Sequence, residues 1–303
     1  MTATSHGLRA MGTVRACASV LVSVVFVGCA PPDAEPVSDS PGVAAPPVAT
    51  SSPARRGAWS EELGRALLVP AHAESLAIVL FPDDATAPHP TLDERMSVTL
   101  HNAGGDTSVA SASSEGQQCG DAPIVRLTGT LLPGWSVGLP GRSARVLSVD
   151  SIEALSGADS SRVTTSLARV ASTLTAREES RFSGLPFSVK RARRFRLEGR
   201  EVVMAHLVRR VPQESAPLEE HTFLIVERPS GGGGNEPFVI AHSRRSDGSE
   251  ENAEYFEVLA VLQGRGGVFL LLARDRLQQI TYEMLERSGP GSWTVRWSRA
   301  LGC

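Results

Sequence analysis

The sequence predicts a β-dominated α+β fold: antiparallel meander sheets with one packed helix. Three observations predict it. Short runs rich in Val, Ile, Leu, Phe and Thr recur along most of the chain, separated by Gly, Pro, Ser and Asp clusters as β-turns require. One stretch alone carries a helical repeat of apolar residues. Hydrophobic residues make up 41% of the 303, enough for a core, while aromatics are few at 5%.

The strand-like runs begin with LAIVLF (76–81) and MSVTLH (96–101). A polar stretch, GGDTSVASASSEGQQ (104–118), reads as a loop leading to Cys119. IVRLTGTLL (124–132) and ARVLSVDSI (144–152) follow as strands. In DSSRVTTSLARVASTLTARE (159–178), Val163, Leu167, Val170, Ala171 and Leu174 fall on one face at helical spacing, with Asp159 or Ser160 as the expected cap. This reads as a helix packed on a sheet.

Beyond the helix a meander is expected. Glu198-Gly199 is a two-residue hairpin turn that pairs Arg196 with Glu201 and Phe195 with Val202. HTFLIVE (221–227), PFVIAHS (237–243), YFEVLAVL (255–262), VFLLLAR (268–274), ITYEMLER (280–287) and SWTVRWS (292–298) continue it. A turn over Ser288–Gly291 would set Tyr282 opposite Trp297, Met284 opposite Val295 and Glu283 opposite Arg296.

The N-terminus has a different character. Arg9 and Arg15 precede an apolar run, Ala16–Val27, with no acidic residue before Asp33. That run has about 12 residues against the roughly 20 that span a bilayer as a helix, so it reads as an export signal. Phe26-Val27-Gly28-Cys29 resembles the lipobox of bacterial lipoproteins, in which an aliphatic residue and two small ones precede a cysteine. Gly28 and Cys29 match the pattern, and Phe26 departs from the usual Leu. The resemblance implies cleavage before Cys29, lipidation of its thiol and anchoring in the cell envelope, where stable attachment takes more than one acyl chain. Ala30, standing where an Asp would suggest inner-membrane retention, points to the outer membrane. Processing would remove Cys17 and consume Cys29, leaving Cys119 and Cys303 as the expected disulfide in an oxidising compartment.

Residues 30–57 hold seven prolines among 28, the rest mostly Ala, Ser, Val and Gly. Such a segment builds no core and reads as an extended tether. The expected organisation is thus a signal peptide over 1–28, a tether over 29–57 and a β-rich domain over 58–303, with a sub-boundary near 180.

The search for chemistry returns no catalytic, cofactor-binding or metal residues. His206, His221 and His242 lie on three successive strands. If a simple hairpin joins Val211 to His221, however, His206 pairs near Val226, about five residues along the strand from His221 and on the opposite face. Two histidines without a third ligand make a poor zinc site. PLEEHTF is not H-E-x-x-H, and GGGGN (231–235) lacks the Lys-Ser/Thr of a phosphate loop. Gly134-Trp135-Ser136-Val137-Gly138 has the G-x-S-x-G spacing, but no helical repeat follows it, so it does not read as a nucleophile elbow. KRARRFR (190–196) reads as a solvated strand face. The chain has a single lysine, Lys190, so its arginine excess reads as compositional bias. Residues 258–297 are similar to one blade of FG-GAP-type β-propeller repeats. The loop QGRGG lacks their D-x-D-x-D series, so the resemblance implies no calcium. A net charge of −3 selects no anionic partner.

Together these features point to a non-catalytic cell-envelope lipoprotein, a binding or scaffold component. Its expected partners are the membrane, through Cys29, and another envelope protein; nucleic acid and cofactors are not expected. The alternatives are a carbohydrate- or lipid-binding module and an envelope hydrolase. A sugar-binding module would present Trp135, Trp293 and Trp297 to solvent. A hydrolase would show a concave pocket with converging polar groups.

Overall fold

The computed structural model describes residues 59, 63–82, 95–141, 144–175, 181–212, 218–229, 239–249, 254–276 and 279–302, with backbone path and pairing alone for 239–249. The chain divides into Met1–Val48 and Ala49–Cys303, and every described residue belongs to the second unit. The signal, the whole tether with Cys29, GGGGN and Cys303 lie outside the described residues.

The fold is β-dominated α+β, with antiparallel sheets and one long helix. β1 (Leu67–Pro70), β2 (Leu76–Leu80), β3 (Met96–Asn102), β4 (Thr107–Cys119), β5 (Ala122–Gly129) and β6 (Trp135–Pro140) close into a barrel of order β1-β2-β5-β4-β3-β6. Leu68, Val79, Val98, Leu100, Val125 and Leu127 are among the residues filling its interior. The filling is tight at Gly138, opposite Leu68, where a Cβ would lie 2.9 Å from Val98 Cγ1 and 3.1 Å from Leu68 Cβ. Only glycine fits there.

Two short strands, β7 (Arg145–Leu147) and β8 (Asp150–Ser151), lead to a 3₁₀ turn (Ile152–Ala154) and α1 (Gly157–Thr175). Two meanders follow. β9 (Ser188–Leu197), β10 (Arg200–Val211), β11 (Leu218–Pro229) and β12 (Val239–Ser249) take β8 at their edge to form one five-stranded sheet, here the inner-helix sheet. β13 (Tyr255–Gln263), β14 (Val268–Arg276), β15 (Gln279–Gly289) and β16 (Ser292–Leu301) take β7 to form a second, here the inner-barrel sheet. Residues 258–297 fall on this second meander.

Four buried clusters set the layers. α1 packs Val163, Leu167 and Ala171 on Val203, Ala205, Leu207 and Leu224 of the inner-helix sheet. The other face of that sheet packs Met204, Phe223 and Ile225 on Phe256, Leu270 and Leu272 of the inner-barrel sheet. The far face of the inner-barrel sheet packs Phe269, Leu271, Met284 and Trp297 against Trp59, Leu67, Leu80 and Leu139 on the barrel side. Both sheets are therefore covered on both faces, which is why VVMAHLV and VFLLLA read as continuous apolar runs rather than as alternation.

The structure corrects three local expectations. The polar stretch 104–118 is largely strand: β4 pairs Val98 with Ala110 and Ala112 with Leu127. It buries only Ala110, Ala112 and Cys119, so its pattern of small residues carried little hydrophobic signal. The expected caps, Asp159 and Ser160, lie inside the helix, which begins earlier, at Gly157. Ser156 caps it, its Oγ accepting from the Asp159 amide at 3.3 Å and donating to the Asp159 carboxylate at 2.8 Å. The last hairpin is also in a different register: Met284 lies opposite Trp297, Leu285 opposite Val295 and Tyr282 opposite Arg299. Bulges near Met284 and Arg287 shift the pairing, and Glu283 pairs with Arg274 at 2.8 Å, not with Arg296. The Glu198-Gly199 hairpin has the expected register, Arg196 with Glu201 and Phe195 with Val202, with both turn residues in the left-handed region at φ 51 and 71.

Cys119 is buried where β4 turns into β5 and is disulfide-bonded. A Cβ on the adjoining Gly120 would lie 3.6 Å from the Gly302 amide, so this turn sits beside the end of the chain.

Candidate functional site

Several buried polar groups, among them His206, Glu219, His221 and Glu227, lie between the two meander sheets. β10 and β11 pair Arg209 with Glu220 and Arg210 with Glu219, which fixes Val211 opposite Leu218 and His206 opposite Phe223. His221 is then two positions from Phe223, diagonal to His206 on the same face. The expected separation of these histidines is overturned. The hairpin closes three residues tighter than a Val211–His221 closure, and an odd slip both shortens the offset and reverses the face. The complementary Arg209-Arg210 and Glu219-Glu220 pairs were the sequence signal for this register.

The result is a hydrogen-bonded chain. Arg210 Nε donates to Glu219 Oε1 at 2.8 Å. His221 Nε2 lies 2.8 Å from Glu219 Oε2, and His221 Nδ1 lies 2.9 Å from His206 Nε2. The rings stack with centroids 5.1 Å apart, and Tyr255 meets both edge-on. Burial pushes the Glu219 carboxyl up, but hydrogen bonds from Arg210 and His221 outweigh it and hold Glu219 below the usual carboxylate range. An ionised carboxylate only accepts, so His221 Nε2 donates to it. With both rings neutral, His221 Nδ1 accepts from His206 Nε2–H, and His206 Nδ1 is left as an acceptor. Burial, then the positive charges around it, push His206 down to about 3.

His206 lines a small open cleft between the sheets, with about 20 Å³ of space, room for one or two waters. Arg191, Arg193, Phe223, Phe256 and Glu257 also line it. A bulge in the β9–β10 pairing falls beside His206. Such bulges re-aim side chains. Arg191 pairs with Glu257 at 3.2 Å, whereas Arg193 has no ion-pair partner among the described residues.

Further along the same face, Glu227 is fully buried. It receives Arg287 in a two-pronged pair, at 3.0 and 3.2 Å, and the Trp293 indole N–H at 2.7 Å. On the opposite face, Arg209 pairs with the buried Glu220 and lies over the rings of Phe182 and Phe187. Among the described residues no cluster of three or more His, Cys, Asp or Glu side chains could hold a metal. His242 stands opposite Ile225, two positions further along the sheet from Phe223, with its side chain outside the described residues. No described helix is long and apolar enough to cross a membrane. No family model, no curated protein and no solved structure matches the chain.

Proposed function

We propose that this chain is a lipid-anchored protein of the bacterial cell envelope whose body acts as a binding or scaffold component. The anchor rests on Val27-Gly28-Cys29 after a short apolar run, and on the proline-rich segment that follows. The reading of the body rests on one observation: its buried polar groups engage one another across strands and sheets, and the cleft at His206 holds little more than a water. The sugar-module alternative has less support, because Trp59, Trp135, Trp293 and Trp297 are all buried. In this reading Cys303 closes the disulfide of Cys119 and ties the C-terminal strand to the barrel.

The test is the intact mass of the protein from its native membrane fraction, before and after reduction and alkylation. The expected mass begins at Cys29 and carries acyl chains, and two thiols become alkylatable only after reduction. A chain that is unacylated, or whose thiols are all alkylated without reduction, removes the anchor or the bridge respectively.

A further inference from the structure

The histidine pair does more than fill space between the sheets. It is a hydrogen-bonded chain with one end on a carboxylate and its other ring lining a cleft. With both rings neutral, every donor points toward Glu219 and His206 Nδ1 offers a lone pair. Suppose a proton enters at His206 Nδ1. The His206 Nε2 proton moves to His221 Nδ1, and both bonds persist with the His206–His221 bond reversed. The added charge then rests on His221, 2.8 Å from the ionised Glu219. His206 ends neutral with Nδ1–H as a donor. One proton therefore changes the cleft from an acceptor to a donor.

The charges around the cleft say which ligand follows the proton. Lys190, Arg191 and Arg193 come from β9 and Arg210 from β10; Glu219 comes from β11, and Tyr255 and Glu257 from β13. Arg210 is paired with Glu219 and Arg191 with Glu257. Lys190 and Arg193 are then left as a positive surplus at the mouth, and an added proton raises it, next to the half-buried Arg193. A planar carboxylate matches a guanidinium fork and a neighbouring N–H donor. The space is too small for more than the head of such a group.

We propose that the cleft between β9 and β13 binds a small carboxylate together with one proton, the anion at His206 Nδ1–H and Arg193 and the proton on His221. The proposal rests on reading the body as a binding component and is independent of the anchor, so the mass measurement and the following titration can fail separately.

The probe is acetate, titrated calorimetrically into the full chain in two buffers of different protonation enthalpy. Binding should take up about one proton per acetate, so affinity should fall up to about tenfold per unit rise in pH. Arg193→Gln should weaken binding at every pH, and its half-buried rim position keeps the variant folded. His221→Asn should remove the proton uptake. Saturable binding with proton uptake that Arg193→Gln diminishes supports the proposal. It is overturned by no saturable binding, by binding without proton uptake, or by binding that Arg193→Gln leaves unchanged.

Discussion

Arg287→Met would open the clamp that joins the two meander sheets. Arg287 on β15 is nearly buried, and its guanidinium grips the fully buried Glu227 of β11 through two hydrogen bonds at 3.0 and 3.2 Å. Burial pushes the Glu227 carboxyl up, but the bonds from Arg287 and Trp293 outweigh it and hold Glu227 low. Without Arg287 a buried carboxylate keeps the Trp293 indole, the Gly291 backbone N–H and Arg200, whose Nε is 3.4 Å away. Breaking a buried pair from one side costs about 3–5 kcal/mol, and the residual Arg200 contact places this case near about 3. Glu227→Gln/Arg287→Met removes the stranded charge and should recover most of that loss. The sign of the pH effect follows. The variant loses the bond that most lowers the Glu227 carboxyl, so its folded-state pKa rises from the wild type's low value. The wild type's contribution from this group, present above the unfolded pKa, is lost as pH falls, and the variant has less of it to lose. The deficit of Arg287→Met should therefore shrink on acidification. Urea unfolding of the wild type, both single variants and the double variant reads all four corners of the cycle. A loss below about 1 kcal/mol for Arg287→Met, or additive losses in the double variant, would refute the argument.

The remaining predictions concern pH, packing and a turn. Because the folded-state pKa of His206 is pushed down to about 3 from 6.5, the unfolded chain takes the extra proton between those values. Stability is then lost as pH falls through that window, by about 2 kcal/mol at pH ~5 from this group. His206→Phe should flatten the wild type's acid sensitivity between about pH 7.5 and 5, measured as the change in urea midpoint; an unchanged slope would remove His206 from the account. Half-buried His101 is also pushed down by burial and contributes equally to both proteins. Leu167→Ala, on the fully buried face of α1, should cost about 2–5 kcal/mol by leaving a cavity against the inner-helix sheet, read from thermal or urea unfolding. Glu198→Asn should raise the midpoint slightly. A left-handed turn position at φ 51 favours Asn, and the ion pair it gives up, Glu198 to Arg287 at 3.0 Å, is two-thirds exposed on the glutamate side. A lower midpoint would make that ion pair the larger effect.

The fold class was legible because alternation and runs of β-branched residues mark strands, and a helical repeat marked the one long helix. The Glu198-Gly199 turn set its register locally, since a two-residue loop leaves the pairing no freedom. The candidate site was not legible in the same way. Its residues, His206, His221, Glu219 and Arg210, were visible, but their juxtaposition depends on where a longer hairpin closes. The pairing of Arg209-Arg210 with Glu219-Glu220 settles that closure, and only the assembled strand pair displays it. Likewise β4, made of Ala, Ser and Gln, becomes a strand because β3 and β5 offer it unpaired edges inside a closing barrel, not through its own hydrophobicity.

By itself the sequence determined the strand-rich class, the position of α1, the tight turn at Glu198-Gly199 and the expectation of an envelope anchor at Cys29. These rest on local periodicity, turn chemistry and a short linear motif, each of which acts within a few residues. Only the tertiary structure decided that six strands close into a barrel, that the long meander splits into two sheets facing each other, and that β7 and β8 supply an edge to each. It alone placed His206 beside His221, Arg287 on Glu227 and all four tryptophans inside. The physical reason is that strand register and sheet stacking are set by contacts between residues far apart in the chain, and a slip of an odd number of residues turns a face from core to solvent.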